Sequence, residues 1–196
     1  MSSPAAPVST ARERIRSAAL RLFAERGVAA TSLREVARAA GVAPGLVGHH
    51  FGSKAGLHES IDDFVVDRFR EALQSVPLEG SPSDVATARD GAVGRMLAAN
   101  PEVVDYLRRT VVTPDPGDEG LARKLVQETI AQTRLLREQG IARSEVPVTE
   151  QAVTVLVRQV GTWLLQPALD RLWHLSGAEG PEPRVRVSLR VPEDAR

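Results

Sequence analysis

The sequence predicts an all-α fold in which a small three-helix unit precedes a larger helical body. Apolar residues recur three and four positions apart along most of the 196 residues. Residues 31–54, TSLREVARAAGVAPGLVGHHFGSK, read as a short helix, a glycine turn, a second short helix and the entry to a longer one. A strand-like alternation, RVRVSLRV at 184–191, comes last, after an all-helical body that offers it no partner strand.

The 31–54 stretch organises the rest. Ser32 is placed to cap a helix, and Glu35 three residues later completes a capping box. Leu33, Val36, Ala37 and Ala40 share one helical face, and Gly41 supplies the reversal. Val42 plugs the angle, and Pro44 suits the first turn of the next helix, whose apolar positions are Leu46, Val47 and Phe51. This is the helix-turn-helix pattern, whose second helix enters a DNA major groove. The same spacing also fits an ordinary helical hairpin.

The first helix is predicted from Ser9 or Thr10 to about Arg26, with Ile15, Ala19, Leu22 and Phe23 buried and Gly27 at its end. The two short helices need it, because alone they cannot bury their apolar faces. Residues 1–9, MSSPAAPVS, have the composition of a disordered arm. A long helix follows over 54–75 with the stripe Leu57, Ile61, Phe64, Val65 and Phe69, and it connects the head to the body. Residues 77–84 form a loop. A helix through Val85, Val93, Met96 and Leu97 comes next, weakened by Gly91 and Gly94. Asn100–Pro101 starts a short helix carrying Tyr106, residues 113–120 form an acidic loop, and a long helix covers 121–139 up to Gly140. The last helical stretch is predicted as two helices, 149–166 and another starting at Pro167. Val153, Leu156, Val160, Leu164, Leu169, Leu172 and Trp173 give these helices more apolar surface than one core needs. A four-helix interface between two subunits is the economical use of it. The resulting division is a head at 10–55, a helical body at 76–175 and a tail at 176–196, mostly disordered.

Bulk composition narrows the function. Hydrophobic residues are 42% and charged residues 26%, as in soluble globular proteins. No apolar run is long enough to cross a membrane, no secretory leader is expected, and the absence of cysteine excludes disulfides and thiol catalysis. A cytoplasmic location fits. Net charge is formally zero, but residues 1–54 hold eight Lys/Arg against three acids. A basic head on an acidic body suits contact with a polyanion. No phosphate-binding glycine loop, nucleophile elbow or metal-ligand spacing is present, so no catalytic residue, metal or cofactor is expected. Arg158 and Gln159 interrupt an apolar helix as interface polar groups or as anchors in an internal pocket, and Met96, Tyr106, Gln132, Thr133 and Trp163 are further candidates for lining one.

The head resembles the TetR family of bacterial transcriptional regulators. The family pattern T-[ST]-x-x-x-[IV]-A-x-x-A-G-V-S-x-G-x-[LV]-Y-x-H-F-x-[ST]-K-x-x-L is matched at Thr31, Ser32, Val36, Ala37, Ala40, Gly41, Val42, Gly45, Val47, His50, Phe51, Ser53, Lys54 and Leu57. The resemblance covers about residues 10–65. It implies a homodimer that binds palindromic double-stranded operator DNA, usually as a repressor, and is released by a small-molecule effector in the helical body. It also implies phosphate contacts from Thr31, Ser32 and Lys54, and a groove face built by Pro44, Gly45, Leu46, Gly48 and His49. Two departures stand out. The family's serine cap is Ala43 here, and its phosphate-contacting tyrosine is Gly48. The second helix therefore has no Arg, Lys, Asn or Gln for bidentate base contacts, which shifts weight onto His49, Leu46, and Arg34 or Arg38. The acidic body favours a neutral or cationic effector, whereas Arg158 argues for an anionic one. A helical protein-interaction module that has lost DNA binding is the alternative reading.

Overall fold

The computed structural model describes residues 10–114, 117–142 and 145–189. The arm at 1–9 and the last residues of the alternating run lie outside them. Helices are α1 (Ala11–Arg26), α2 (Leu33–Ala40), α3 (Pro44–Phe51), α4 (Lys54–Gln74), α5 (Pro82–Ala99), α6 (Pro101–Leu107), α7 (Gly120–Glu138) and α8 (Val148–Leu175), with a π-helical segment at Arg108–Val112 after α6. The fold is all-α, with a helix-turn-helix at its N-terminal end and a helical C-terminal part.

The chain divides into two compact units, one of residues 1–68 and 97–122, the other of residues 69–96 and 123–196. In the first unit, α1 packs on α2, α3 and α6. Its core holds Ile15, Leu20, Phe23, Val36, Val47, Leu57, Ile61 and Tyr106, all fully buried. Local signals set the boundaries. Thr10 and Glu13 form a capping box at α1, and Ser32 and Glu35 form one at α2. Gly41 takes a left-handed conformation with φ of 63° and closes α2 by donating its N–H to the Ala37 and Arg38 carbonyls. Ser53 accepts the Gly56 N–H at 3.0 Å and so caps α4.

A polar cluster lies in the same unit, with Asp62 and Tyr106 buried and His58 and Asp118 partly exposed. Tyr106 donates its hydroxyl to Asp62 Oδ1 at 2.6 Å, and both side chains are buried. His58 Nε2 lies 3.8 Å from Asp62 Oδ1 and 3.7 Å from Asp118 Oδ2, with its ring edge-on to Phe23 and Tyr106. Burial and the Asp62 carboxylate push the Tyr106 hydroxyl well above the usual phenol range, so Tyr106 is a neutral donor.

In the second unit the expected break at Pro167 does not occur. Residues 148–175 form one helix of 28 residues, about 42 Å long, with Pro167 inside it. Proline removes one backbone donor and clashes mildly with the preceding turn, which kinks or weakens a helix without necessarily ending it. Gln166 and Asp170 span the position, the amide donating to Oδ1 at 2.6 Å. Among the described residues the alternating run forms no strand; it runs beside α8, against Gln166 and Gly161. Gln166 holds it with both ends of its amide, donating to the Pro183 carbonyl at 3.0 Å and accepting the Val185 N–H at 2.8 Å. Gly161 makes room for Val187, whose Cγ2 would stand 2.7 Å from any Cβ there. The alternation is thus used, with Val185 and Val187 partly covered and Arg184 and Arg186 exposed.

Candidate functional site

The first unit presents α3 with one face covered and one open. Val47 is fully buried, whereas Pro44, Gly45, Leu46 and His49 are exposed and Gly48 is half-buried between the faces. Leu46 stands out on this face because a large aliphatic side chain is left 37% exposed. Arg34 and Arg38 are exposed on α2. The helix that carries the open face is weakly started. Ala43 at its N-cap makes no side-chain hydrogen bond, so only Pro44 at the first position favours initiation. Ala43→Ser should raise stability by about 1 kcal/mol in urea unfolding, because a hydroxyl there would accept an orphan N–H.

The residues expected at phosphate are placed differently from one another. Ser32 is exposed, but its hydroxyl donates to Glu35 Oε2 at 2.7 Å and accepts the Glu35 N–H. The Ser32 backbone N–H and hydroxyl hold the Glu35 carboxyl below the usual range. Lys54 donates Nζ to the Ala29 carbonyl at 2.9 Å, tying the start of α4 to the α1–α2 turn. Thr31 is turned inward, 2% exposed, with its hydroxyl donated to the Gly27 carbonyl at 2.9 Å. Only its neighbours' groups remain at the surface. Arg12 stacks its guanidinium 5.7 Å from the Phe51 ring centre, bracing the far end of α3.

The residues expected to line a ligand cavity separate into two places. Tyr106 belongs to the first unit and is fixed on Asp62. Met96, Gln132, Thr133, Arg158, Gln159 and Trp163 belong to the second. Three of these converge on two adjacent residues of α5. Gln132 accepts from Arg89 Nη2 at 2.6 Å, while Gln159 donates to Asp90 Oδ1 at 2.8 Å and Arg158 Nη2 lies 3.2 Å from Asp90 Oδ2. Gln132 also donates to Glu128 Oε1 at 2.8 Å, and Arg70 grips Glu128 Oε2 at 2.7 Å. Thr133 bonds back to the Thr129 carbonyl within α7, and Trp163 packs on Phe69 with ring centres 5.5 Å apart. Sequence reasoning missed Arg89 and Asp90. The signal was an arginine in the apolar stripe Val85–Arg89–Val93, masked by the glycines that lowered the expectation for this helix. Burial draws Arg89 below the ordinary arginine value, with Asp90 and Glu128 opposing the shift.

A groove of about 300 Å³ in the first unit, between α1 and the α6 region, contains none of the predicted cavity residues; Arg21, Glu25, Glu102, Asp105, Arg108 and Arg109 contribute to its walls. Among the described residues no group of three or more His, Asp or Glu is placed to hold a metal ion. His49 and His50 face each other edge-on, and His58 is enclosed by Phe23, Tyr106 and the two aspartates. No helix among these residues is long and apolar enough to cross a membrane.

Residue 153 begins the exposed face of α8. Val153, Val157, Leu165 and Leu172 stand out from it, Leu172 65% exposed, and Ala152 is its buried residue among those described. Leu156, Val160, Leu164, Leu169 and Trp173 are half-buried.

Comparison with known proteins places these features. The profile of the family described as bacterial regulatory proteins, tetR family, matches residues 15–61. The HTH-type transcriptional regulatory protein RaaS of Mycobacterium tuberculosis is 43% identical over 74 residues, which is 38% of this chain and 34% of RaaS. The HTH-type transcriptional repressor KstR2 of the same species is 34% identical over 85 residues, 40% of this chain and 42% of KstR2. The chain thus spans between a third and a half of the length of these relatives. A tetR family regulator of Shewanella superposes with a TM-score of 0.71 over 86% of this chain and 92% of its own, at 23% identity, a likeness of fold. PfmR of Thermus thermophilus superposes with a TM-score of 0.56 over 76% of this chain and 83% of its own, at 27% identity.

Proposed function

We propose that the chain is a helix-turn-helix transcriptional regulator of the TetR family that represses transcription from a palindromic operator and is released by a small-molecule effector, a reading supported by the family profile over residues 15–61 and by the HTH-type relatives. The carrying observation is the open face of α3, with Pro44, Gly45, Leu46 and His49 exposed over a buried Val47. We assign DNA contact to the head at 10–55, and effector binding and dimerisation to the body at 76–175, with α4 joining them. His49 supplies hydrogen bonding to bases, Leu46 meets thymine methyl groups, and Arg34, Arg38 and Lys54 meet phosphate. Ser32 stands exposed near phosphate at a helix N-terminus, and Gly45 allows close approach of the recognition helix. KstR2 is described as a repressor, which supports the sign of regulation.

The apolar surface of α8, exposed at Val153 and Leu172 and half-buried at Leu156, Val160, Leu164, Leu169 and Trp173, supports a homodimer through these residues. Two recognition helices related by a two-fold axis would then read a two-fold operator.

Fluorescence anisotropy with the DNA flanking the protein's own gene tests the DNA reading. Affinity should fall steeply as salt rises, because phosphate contacts release counterions. Arg34→Ala and Arg38→Ala should each flatten the log–log salt slope by about 1. His49→Ala should weaken operator binding about tenfold or more while leaving the slope in place. Unchanged affinity in His49→Ala removes that residue from base reading. Absence of binding at low salt across the whole flanking region favours the protein-interaction alternative, which Gly48 and the short-reaching face of α3 would then explain.

A further inference from the structure

The polar centre of the second unit holds a cation that packing does not explain. On α5, Val85, Ala92 and Val93 are buried, and Arg89 sits among them at 6% exposure. Its hydrogen bond goes to a neutral group, the Gln132 amide oxygen at 2.6 Å. The nearby carboxylates have other partners: Glu128 is held by Arg70 and Gln132, and Asp90 by Gln159 and Arg158. Gln132 cannot turn away, because its own amide nitrogen is committed to Glu128, so its oxygen faces the guanidinium. A guanidinium carries five N–H donors in a planar fork suited to a carboxylate, and one neutral acceptor leaves that fork largely unused. A methionine or leucine would fill the same stripe without the desolvation cost of a buried charge.

We propose that Arg89, oriented by Gln132, is the anion-recognising residue of the effector site, and that the effector is a small organic carboxylate with an apolar body. This rests on the reading of the body as effector-responsive. Asp90 and Glu128 attract Arg89 but are bonded to Arg158 and Arg70, so these three arginines and two carboxylates leave one surplus positive charge, which suits a carboxylate better than a phosphate dianion. Val85 and Val93, one turn to either side of Arg89 on α5, are apolar and buried and would suit a hydrocarbon body. The Arg70–Glu128–Gln132 chain acts behind Arg89 as a positioning relay.

The test is thermal unfolding of the full-length protein with hexanoate, hexanol, hexylammonium and hexyl phosphate as probes. Hexanoate at saturation should raise Tm by about 3 °C or more, and hexanol and hexylammonium should not. Arg89→Met should melt at or above the wild-type temperature and lose the hexanoate shift, whereas Arg89→Lys should keep a reduced one. Absence of a hexanoate shift in the wild type, an equal shift with hexanol, or a shift that survives Arg89→Met would overturn the proposal. So would an Arg89→Met protein that melts several degrees lower or does not fold, since Arg89 would then be structural. A larger shift with hexyl phosphate would overturn the carboxylate assignment. DNA release is read separately: hexanoate should free the wild type, but not Arg89→Met, from the flanking DNA. If the wild type binds no DNA, the regulatory reading fails, while the melting comparison still decides the site.

Discussion

Gly56→Ala is expected to destabilise the head by about 3 kcal/mol and to abolish DNA binding near physiological temperature. A Cβ at Gly56 would overlap the Phe51 carbonyl oxygen, a backbone atom with no rotamer to escape into. That oxygen also accepts the Ser53 N–H at 2.8 Å, and the Gly52 N–H binds the Gly48 carbonyl at 2.8 Å, so the α3–α4 corner has little freedom. Relief requires moving the first turn of α4 off the end of α3, which tilts the reading helix. Gly94→Ala is the matched control. It lies inside α5, where the added carbon would meet nothing within 4 Å beyond the helix's own local backbone and its chain neighbours, and it should stabilise by up to about 1 kcal/mol. Urea unfolding of both variants separates the steric effect from the general effect of replacing a helical glycine.

Tyr106→Phe should cost about 2 kcal/mol, because Asp62 would lose a short hydrogen bond inside the core. Tyr106 is the only tyrosine in the chain, so alkaline titration by ultraviolet absorbance reads this one hydroxyl. Its folded-state pKa is raised, so the contribution to stability is whole below the unfolded value of about 10 and is lost as pH climbs beyond it. Tyrosinate absorbance should therefore appear together with unfolding, not before it. Ionisation near pH 10 in a protein that still shows its full helical signal would contradict the buried pair. In Tyr106→Phe the alkaline fall in stability should be shallower.

The head was legible because its signals are local. The capping box at Ser32–Glu35, the turn at Gly41 and the proline at Pro44 each act within a few residues and fall where expected, and the cap of α1 is Thr10, one of the two residues expected there. Pro167 was misread for a matching reason. Proline signals a helix end only when nothing else holds the helix together, and packing outside the local window decides that. The role of the alternating run was hidden because its partner is a side-chain amide on a helix, Gln166, and not another strand. Thr31 and Tyr106 have residue types that suit surface contact or cavity lining, but pairing with Gly27 and Asp62 uses their polar atoms inside the head. Arg89 could have been found from the one charge breaking an apolar stripe at i, i+4 and i+8, a local conflict of the sort that functional positions carry.

DNase footprinting of the intergenic DNA beside the protein's own gene reads operator binding base by base. A dimeric reader built on α3 predicts one protected palindrome whose half-sites are centred about one helical turn, or a whole number of turns, apart. Protection should be lost on raising salt and in His49→Ala. Uniform cleavage at low salt with saturating folded protein would contradict such a reader.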